Sequence, residues 1–280
     1  MTVPQPHAPV QLTPVPPSGR PGAAHLLLSE WTKLRTVRST VWSLILLAVL
    51  TLGLTGLISG ITAAQWHSIG PSSRVTLIGD PVGAILGASI EFGQLTIIVL
   101  GVLVISSEYS TGAIRSSLLA VPRRLSMLAA KAITFAALVF VLAEIVCFLA
   151  FFLGAAILHS HIPVSLGGSN VARAVYGAGL YLTVLGLFSM AVAGLIRHTA
   201  GAIAGVIAFV IVLEPLSQLI PGTWGNHIHD YLPTAAGRLV YSMQPAGGQV
   251  LPAWGGFAVF CGWTAALLAA WAVALCLRDA

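Results

Sequence analysis

Six long runs of apolar residues occupy most of this chain, and a water-soluble fold could not bury them all at once. A helix needs about 20 consecutive apolar residues to cross the hydrocarbon core of a bilayer. Segments 41–63, 81–106, 129–158, 171–196, 200–220 and 254–277 meet that requirement. Composition agrees: 57% of residues are hydrophobic and 8% charged, against about a quarter charged in soluble domains. The expected fold is therefore all-α, a polytopic membrane protein with six transmembrane helices in a single domain over 25–280. The segment 129–158 is long enough to tilt or to run past the hydrocarbon. No internal repeat is evident, which weighs against an inverted-repeat architecture.

Ahead of that domain, residues 1–24 include seven prolines, among them Pro4, Pro16 and Pro21. No apolar stretch follows the first methionine, so a cleaved signal peptide is not expected. The segment reads as a disordered tail, either a plain linker or a proline motif for docking.

Basic residues set the orientation. With the N-terminus inside, Arg20, Lys33, Arg35, Arg38, Arg115, Arg123, Arg124, Lys131, Arg197 and Arg278 fall on the cytoplasmic side. Only Arg74, Arg173 and Arg238 fall outside. That asymmetry predicts both termini in the cytoplasm, in a multi-pass protein of the cell membrane. Scattered arginines at helix ends are topology signals rather than a nucleic-acid surface.

Residues His25 to Ser39 have the makings of an amphipathic helix. Leu26, Leu27, Trp31 and Leu34 can share one face, with Glu30, Lys33 and Arg38 mostly elsewhere. The expectation is an N-terminal interfacial helix on the inner leaflet, or else a polar extension of the first span. The longest outside loop, Pro221 to Ala253, is rich in aromatics, Gly and Pro, and suits short re-entrant or interfacial helices.

Several chemistries are excluded. A P-loop requires Gly-Lys followed by Ser or Thr. The only lysines are Lys33, after Thr32, and Lys131, after Ala130. The chain therefore carries no P-loop ATPase, and neither H-E-x-x-H nor G-x-S-x-G occurs. Cys147, Cys261 and Cys276 all lie in apolar runs and do not form a disulfide framework. His159/His161 and His227/His229 with Asp230 would share a face only on strands. Solvated loop groups are the plainer reading, and no metal site is expected.

The informative polar stretch lies between the second and third spans: Ser106-Ser107-Glu108-Tyr109-Ser110-Thr111-Gly112-Ala113-Ile114-Arg115. Glu108 and Arg115 are two helical turns apart and so share a helix face. Ile114 and Leu118 can make an i,i+4 apolar contact, Gly112 permits close backbone approach, and Pro122 ends the element. A short helix exposed to the cytoplasm suits docking of a soluble protein. A solvated loop that only sets topology fits the spacing equally well.

The pattern Glu108-Tyr109-x-x-Gly112-x-Ile114-Arg115, then Leu118 and Pro122-Arg123-Arg124, resembles the first cytoplasmic loop of type-2 ABC exporter permeases. Ser29-Glu30-Trp31-Thr32-Lys33-Leu34-Arg35-Thr36-Val37-Arg38-Ser39 is similar to the N-terminal helix of that family. The resemblance runs from about His25 to the end of the chain; the proline-rich tail has no counterpart. It implies a permease subunit that is not itself an enzyme and binds no cofactor. It would pair with a second permease copy or homologue and be served by a separate soluble ATPase holding ATP and magnesium. That ATPase would dock at the 106–124 loop, with Glu108, Tyr109, Gly112, Ile114 and Arg115 as the coupling element.

Three carboxylates fall inside spans: Glu91, Glu144 and Glu214. A charged acid at the bilayer centre costs about 2.5–3.5 kcal/mol on insertion scales. Glu144 lies nearest a span centre and, with Glu91, is a candidate for the transport path. The alternative is burial against a helix end, a hydroxyl or an arginine such as Arg173. Glu214, before Pro215, lies near an outer end. Gly56/Gly60, Gly83/Gly87 and Gly201/Gly205 have the spacing that lets membrane helices touch, within a chain or between two chains. A stand-alone secondary transporter with Glu91 and Glu144 as proton or cation sites is the rival to the exporter, and an anchoring protein without transport is a third reading.

Overall fold

The computed structural model describes residues 23–110, 124–243 and 251–278. All regular structure among them is helical. A short helix α1 (Ala23–Thr36) precedes α2 (Arg38–Ala64), with Val37 in an extended conformation at the break. A 3-10 turn and α3 (Pro71–Gly79) lead to α4 (Pro81–Ser110). Then come α5 (Arg124–Leu158), α6 (Val171–Ile196) and α7 (Thr199–Ala208), which continues through a π-helical turn into α8 (Glu214–Ser217). Two short helices, α9 (Thr223–Asp230) and α10 (Pro233–Arg238), precede α11 (Ala253–Arg278).

Six of these units are long and apolar enough to cross a membrane: α2, α4, α5, α6, α7 with α8, and α11. They coincide with the six apolar runs to within a few residues. At 35 residues, α5 is about 52 Å long, well beyond the roughly 30 Å hydrocarbon core. A helix of that length must tilt or run past the apolar layer.

α6 is the hub. It packs on α4, α5 and α11, while α2 packs on α4 and α5. The spans are built for lipid: apolar side chains face out, and small or hydroxylated ones face in. On α2 the buried stripe is Thr40, Leu47, Thr51, Thr55 and Ser59, whereas Val41, Trp42, Val49 and Leu57 are exposed. Thr55 and Ser89 exchange a 2.7 Å hydrogen bond between α2 and α4. That contact satisfies two hydroxyls which lipid could not.

Close helix approach uses glycines other than the regularly spaced ones. A Cβ added at Gly101 of α4 would strike the Gly186 carbonyl of α6, and one at Gly194 of α6 would strike the Trp271 indole of α11. Gly60 and Gly87 have nothing within 4 Å of such an atom, and Gly56 meets only Leu153 at 3.6 Å. Spacing alone does not distinguish an inward glycine from an outward one; the partner helix decides.

The π turn at Phe209–Leu213 directly precedes Glu214 and Pro215. Proline offers no N–H to the carbonyl four residues back and its ring crowds that carbonyl. Widening the turn relieves the crowding, and the Glu214 amide instead reaches Phe209 five residues back. The loop before α11 contains short helices, as expected, of contrasting character. α9 is largely exposed, while Pro233 to Gly237 of α10 are buried against α11 and α6.

Candidate functional site

Charged side chains gather in two clusters at opposite ends of the bundle. The first lies where α1, the last turn of α4 and the second turn of α5 meet. Lys131 Nζ donates to Glu30 Oε2 at 2.5 Å and to Glu108 Oε1 at 2.6 Å. Lys33 Nζ donates to Glu30 Oε1 at 2.7 Å and lies 3.8 Å from Glu108 Oε1. Glu30 and Lys131 are almost wholly buried, at 5% and 4% exposure. Two acids and two bases thus form a neutral network that ties three helices together. Burial works to raise the Glu30 carboxyl, but Lys131 and Lys33 outweigh it and hold it below the usual range. Burial likewise pulls the Lys33 ammonium down, and Glu30 and Glu108 more than reverse that, leaving it above its ordinary value.

This arrangement corrects the expected face of the N-terminal helix. Glu30 and Leu34 lie buried on one stripe, with Leu27 beside them half-buried, whereas Trp31 and Leu28 point outward. Apolar spacing put Trp31 and Leu34 together; the buried ammonium of Lys131 draws Glu30 inward instead.

Of the five residues expected to form a coupling element, Glu108 and Tyr109 lie among the described residues. Glu108 turns its carboxylate onto Lys131 and is only 13% exposed. Tyr109 lies under Arg197, whose guanidinium carbon is 5.2 Å from the ring centroid, and its hydroxyl accepts from Trp271 Nε1 at 3.4 Å. Gly112, Ile114 and Arg115 lie outside the described residues.

The second cluster joins α4, α8 and α10. Arg238 meets Glu91 through both terminal nitrogens, at 2.7 and 3.1 Å, and its Nε lies 3.4 Å from Glu214 Oε1. Thr234 donates to Glu214 Oε2. Gln94 Nε2 donates to Glu91 at 2.7 Å, and Tyr181 donates to Gln94 at 2.8 Å. Glu214 is 3% exposed. Two of the three acids within the spans therefore share one arginine from the loop between α8 and α11. Arg173 serves a different purpose: it donates to the Val240 and Ser242 carbonyls at 2.7 and 2.9 Å, just past the end of α10. Arg238 carries no special spacing in the sequence. The available signal was two acids near the same end of their spans, each needing a cation.

Glu144, in the middle of α5, stands apart. Both its carboxylate oxygens are buried without a hydrogen-bond partner. The side chain lies against Gly179 of α6, where an added Cβ would come within 2.5 Å of the carboxyl carbon. A buried polar group without a partner is rare enough to require a reason.

The histidine pairs form no ligand set. His227 and His229 sit on helix α9 rather than a strand, and alternate residues there diverge by about 200°. His229 Nδ1 is 2.8 Å from Ser217 Oγ, and His161 packs on Trp66. Among the described residues no group of His, Cys, Asp or Glu could hold a metal ion.

No protein-family model matches the chain, and no curated protein matches it.

Proposed function

We propose that this protein is the membrane subunit of an ATP-driven exporter of the type-2 ABC kind, moved by a separate soluble ATPase that docks on the 106–124 loop. Both termini and that loop face the cytoplasm, in keeping with the distribution of arginine and lysine. α1 lies along the inner leaflet, with Leu28 and Trp31 exposed to it and Glu30 and Leu34 turned to the bundle.

The observation that carries this proposal is the four-residue network at the base of the loop. A docking loop transmits movement only if its two ends are held firmly. The segment between Glu108 and Lys131 is clasped at both ends, because those two residues are ion-paired to each other and Lys131 is also paired to Glu30 of α1. A push on the loop would be passed to α4, α5 and α1 together. The chain itself would hydrolyse nothing, and a second permease copy or homologue would complete the pathway.

The test is site-specific photo-cross-linking in the native membrane, with the reactive side chain at position 115 and, as control, at position 224 of the exposed helix α9. Capture of one soluble ATPase from position 115 alone supports the proposal. Capture from neither position, in a chain that still inserts, sinks it.

The secondary-transporter reading is favoured by one observation, the unpartnered Glu144 carboxyl in mid-span. A proton or cation would supply the partner that the fold does not. Uptake or efflux that follows an imposed proton gradient in ATP-free vesicles would select it.

A further inference from the structure

The end of the bundle that carries α1 has a second polar feature, distinct from the ion-pair network. A cavity of about 510 Å³ opens where the last turns of α4 meet the tight connection from α6 to α7. Its walls are Ser106, Tyr109, Arg197, His198, Thr199 and Ala200. Every one is a potential donor or neutral, and no acid is among them.

Three features of this wall converge on an anion. The first is the start of α7, a ten-residue helix whose opening amides have no acceptor within the helix and lie at the positive end of its dipole. Only Gly201, the third residue, is capped, by His198 Nδ1 at 3.0 Å. Because Nδ1 accepts there, the neutral ring carries its proton on Nε2, a further donor. The second is Arg197, fixed over the Tyr109 ring and held in the left-handed region at φ 57°. An arginine gains nothing from that backbone conformation, which asparagine or glycine adopts more readily. The third is independent of both. Ser106 is 4% exposed, lines the cavity, and its buried hydroxyl has no hydrogen-bond partner. A buried donor left without an acceptor is destabilising, and a ligand oxygen would relieve it.

We propose that this cavity binds a phosphate group, supplied by a phospholipid headgroup or by a free phosphate. The planar fork of Arg197 pairs with two phosphate oxygens, the first amides of α7 face a third, and Ser106 donates from the α4 side. Arg197 is already engaged in the structure, so the phosphate joins or replaces an existing contact. The cavity shares Ser106 and Tyr109 with the first residues of the loop that would dock an ATPase, but phosphate binding there does not depend on that assignment.

The experiment uses the full chain in a sugar-headgroup detergent free of phosphate. Binding is read by native mass spectrometry and by the thermal midpoint, with inorganic phosphate in one arm and phosphatidylglycerol in the other. Two variants keep the result interpretable. Ser106→Ala removes an unpaired hydroxyl and should leave the apo midpoint unchanged or slightly higher. Arg197→Asn removes the charge yet suits the left-handed backbone. One bound equivalent with a raised midpoint, weakened about tenfold or more in both variants, is the expected result. Saturation by inorganic phosphate assigns a free phosphate, and saturation by phosphatidylglycerol alone assigns a headgroup. Binding weakened by Arg197→Asn but not by Ser106→Ala would reduce the effect to general charge attraction and overturn the site. So would binding equal in all three proteins, or none in either arm.

Discussion

Glu144 and Gly101 show how differently single residues act in this bundle. The Glu144 carboxyl is enclosed with no donor to meet it. Glu144→Gln keeps the shape and removes the charge that the site does not compensate. The variant should fold as well as the parent or better, with a thermal midpoint no lower, while transport changes. An unaltered transport rate would return Glu144 to a packing role. Gly101 is constrained by contact rather than charge. Gly101→Ala would press a methyl group into the Gly186 carbonyl, so α4 and α6 must part. Overpacking of that kind costs about 1–3 kcal/mol and should appear as a lower midpoint in detergent, with insertion intact. Neither environment was legible in the sequence. Mid-span position singled out Glu144, but its empty surroundings depend on where α6 places Gly179. The glycine pairs at helix-packing spacing drew attention, yet tight contacts between spans fall at Gly101, Gly154 and Gly194.

Among elements, α1 is the most informative, since its docking depends on charge. Lys131→Met would leave the buried Glu30 with only the half-exposed Lys33. Breaking a buried pair from one side costs about 3–5 kcal/mol. Replacing both members, Glu30→Met with Lys131→Met, should recover most of that loss, because no uncompensated charge is left between them. A thermal-midpoint series across the parent, single and double variants checks this. Protonation should act on the same joint. Glu30 titrates below its ordinary value of 4.5, so its contribution is present above that value and is lost as pH falls through the lowered one. Lys33 titrates above its ordinary value of 10.5, so its contribution is full below that and disappears as pH rises further. Hydrogen-exchange protection of the α1 amides, taken relative to the intrinsic rate at each pH, should therefore be highest across the neutral range and fall in acid and in strong alkali. Constant protection across the acid limb would mean that apolar contacts around Leu34 hold α1 without the ion pairs. The sequence marked α1 as a helix and Glu30 as polar, but not the face that docks. That face follows from Lys131, about a hundred residues away, and no local period carries such information.

At the scale of the whole molecule, the spans were the most legible feature, because hydrocarbon thickness dictates their length and apolar character. The six runs, the excessive length of the third and the short helices of the loop before the last span all appear in the structure. The charge clusters were not legible in the same way. Each draws its members from three helices, and one arginine of the loop before α11 serves two acids of different spans. Together the clusters brace the bundle at both ends, and the one near α1 also clasps the segment proposed to receive an ATPase. The most direct measurement is a mild-detergent pull-down of the tagged full chain from its native membrane, quantified by mass spectrometry. The parent is compared with Ile114→Asp, which alters the loop and spares the network. One soluble ATPase recovered in stoichiometric amount with the parent and absent with Ile114→Asp is the predicted result. Recovery of the parent chain alone, under conditions that retain other complexes of the same membrane, would contradict the account.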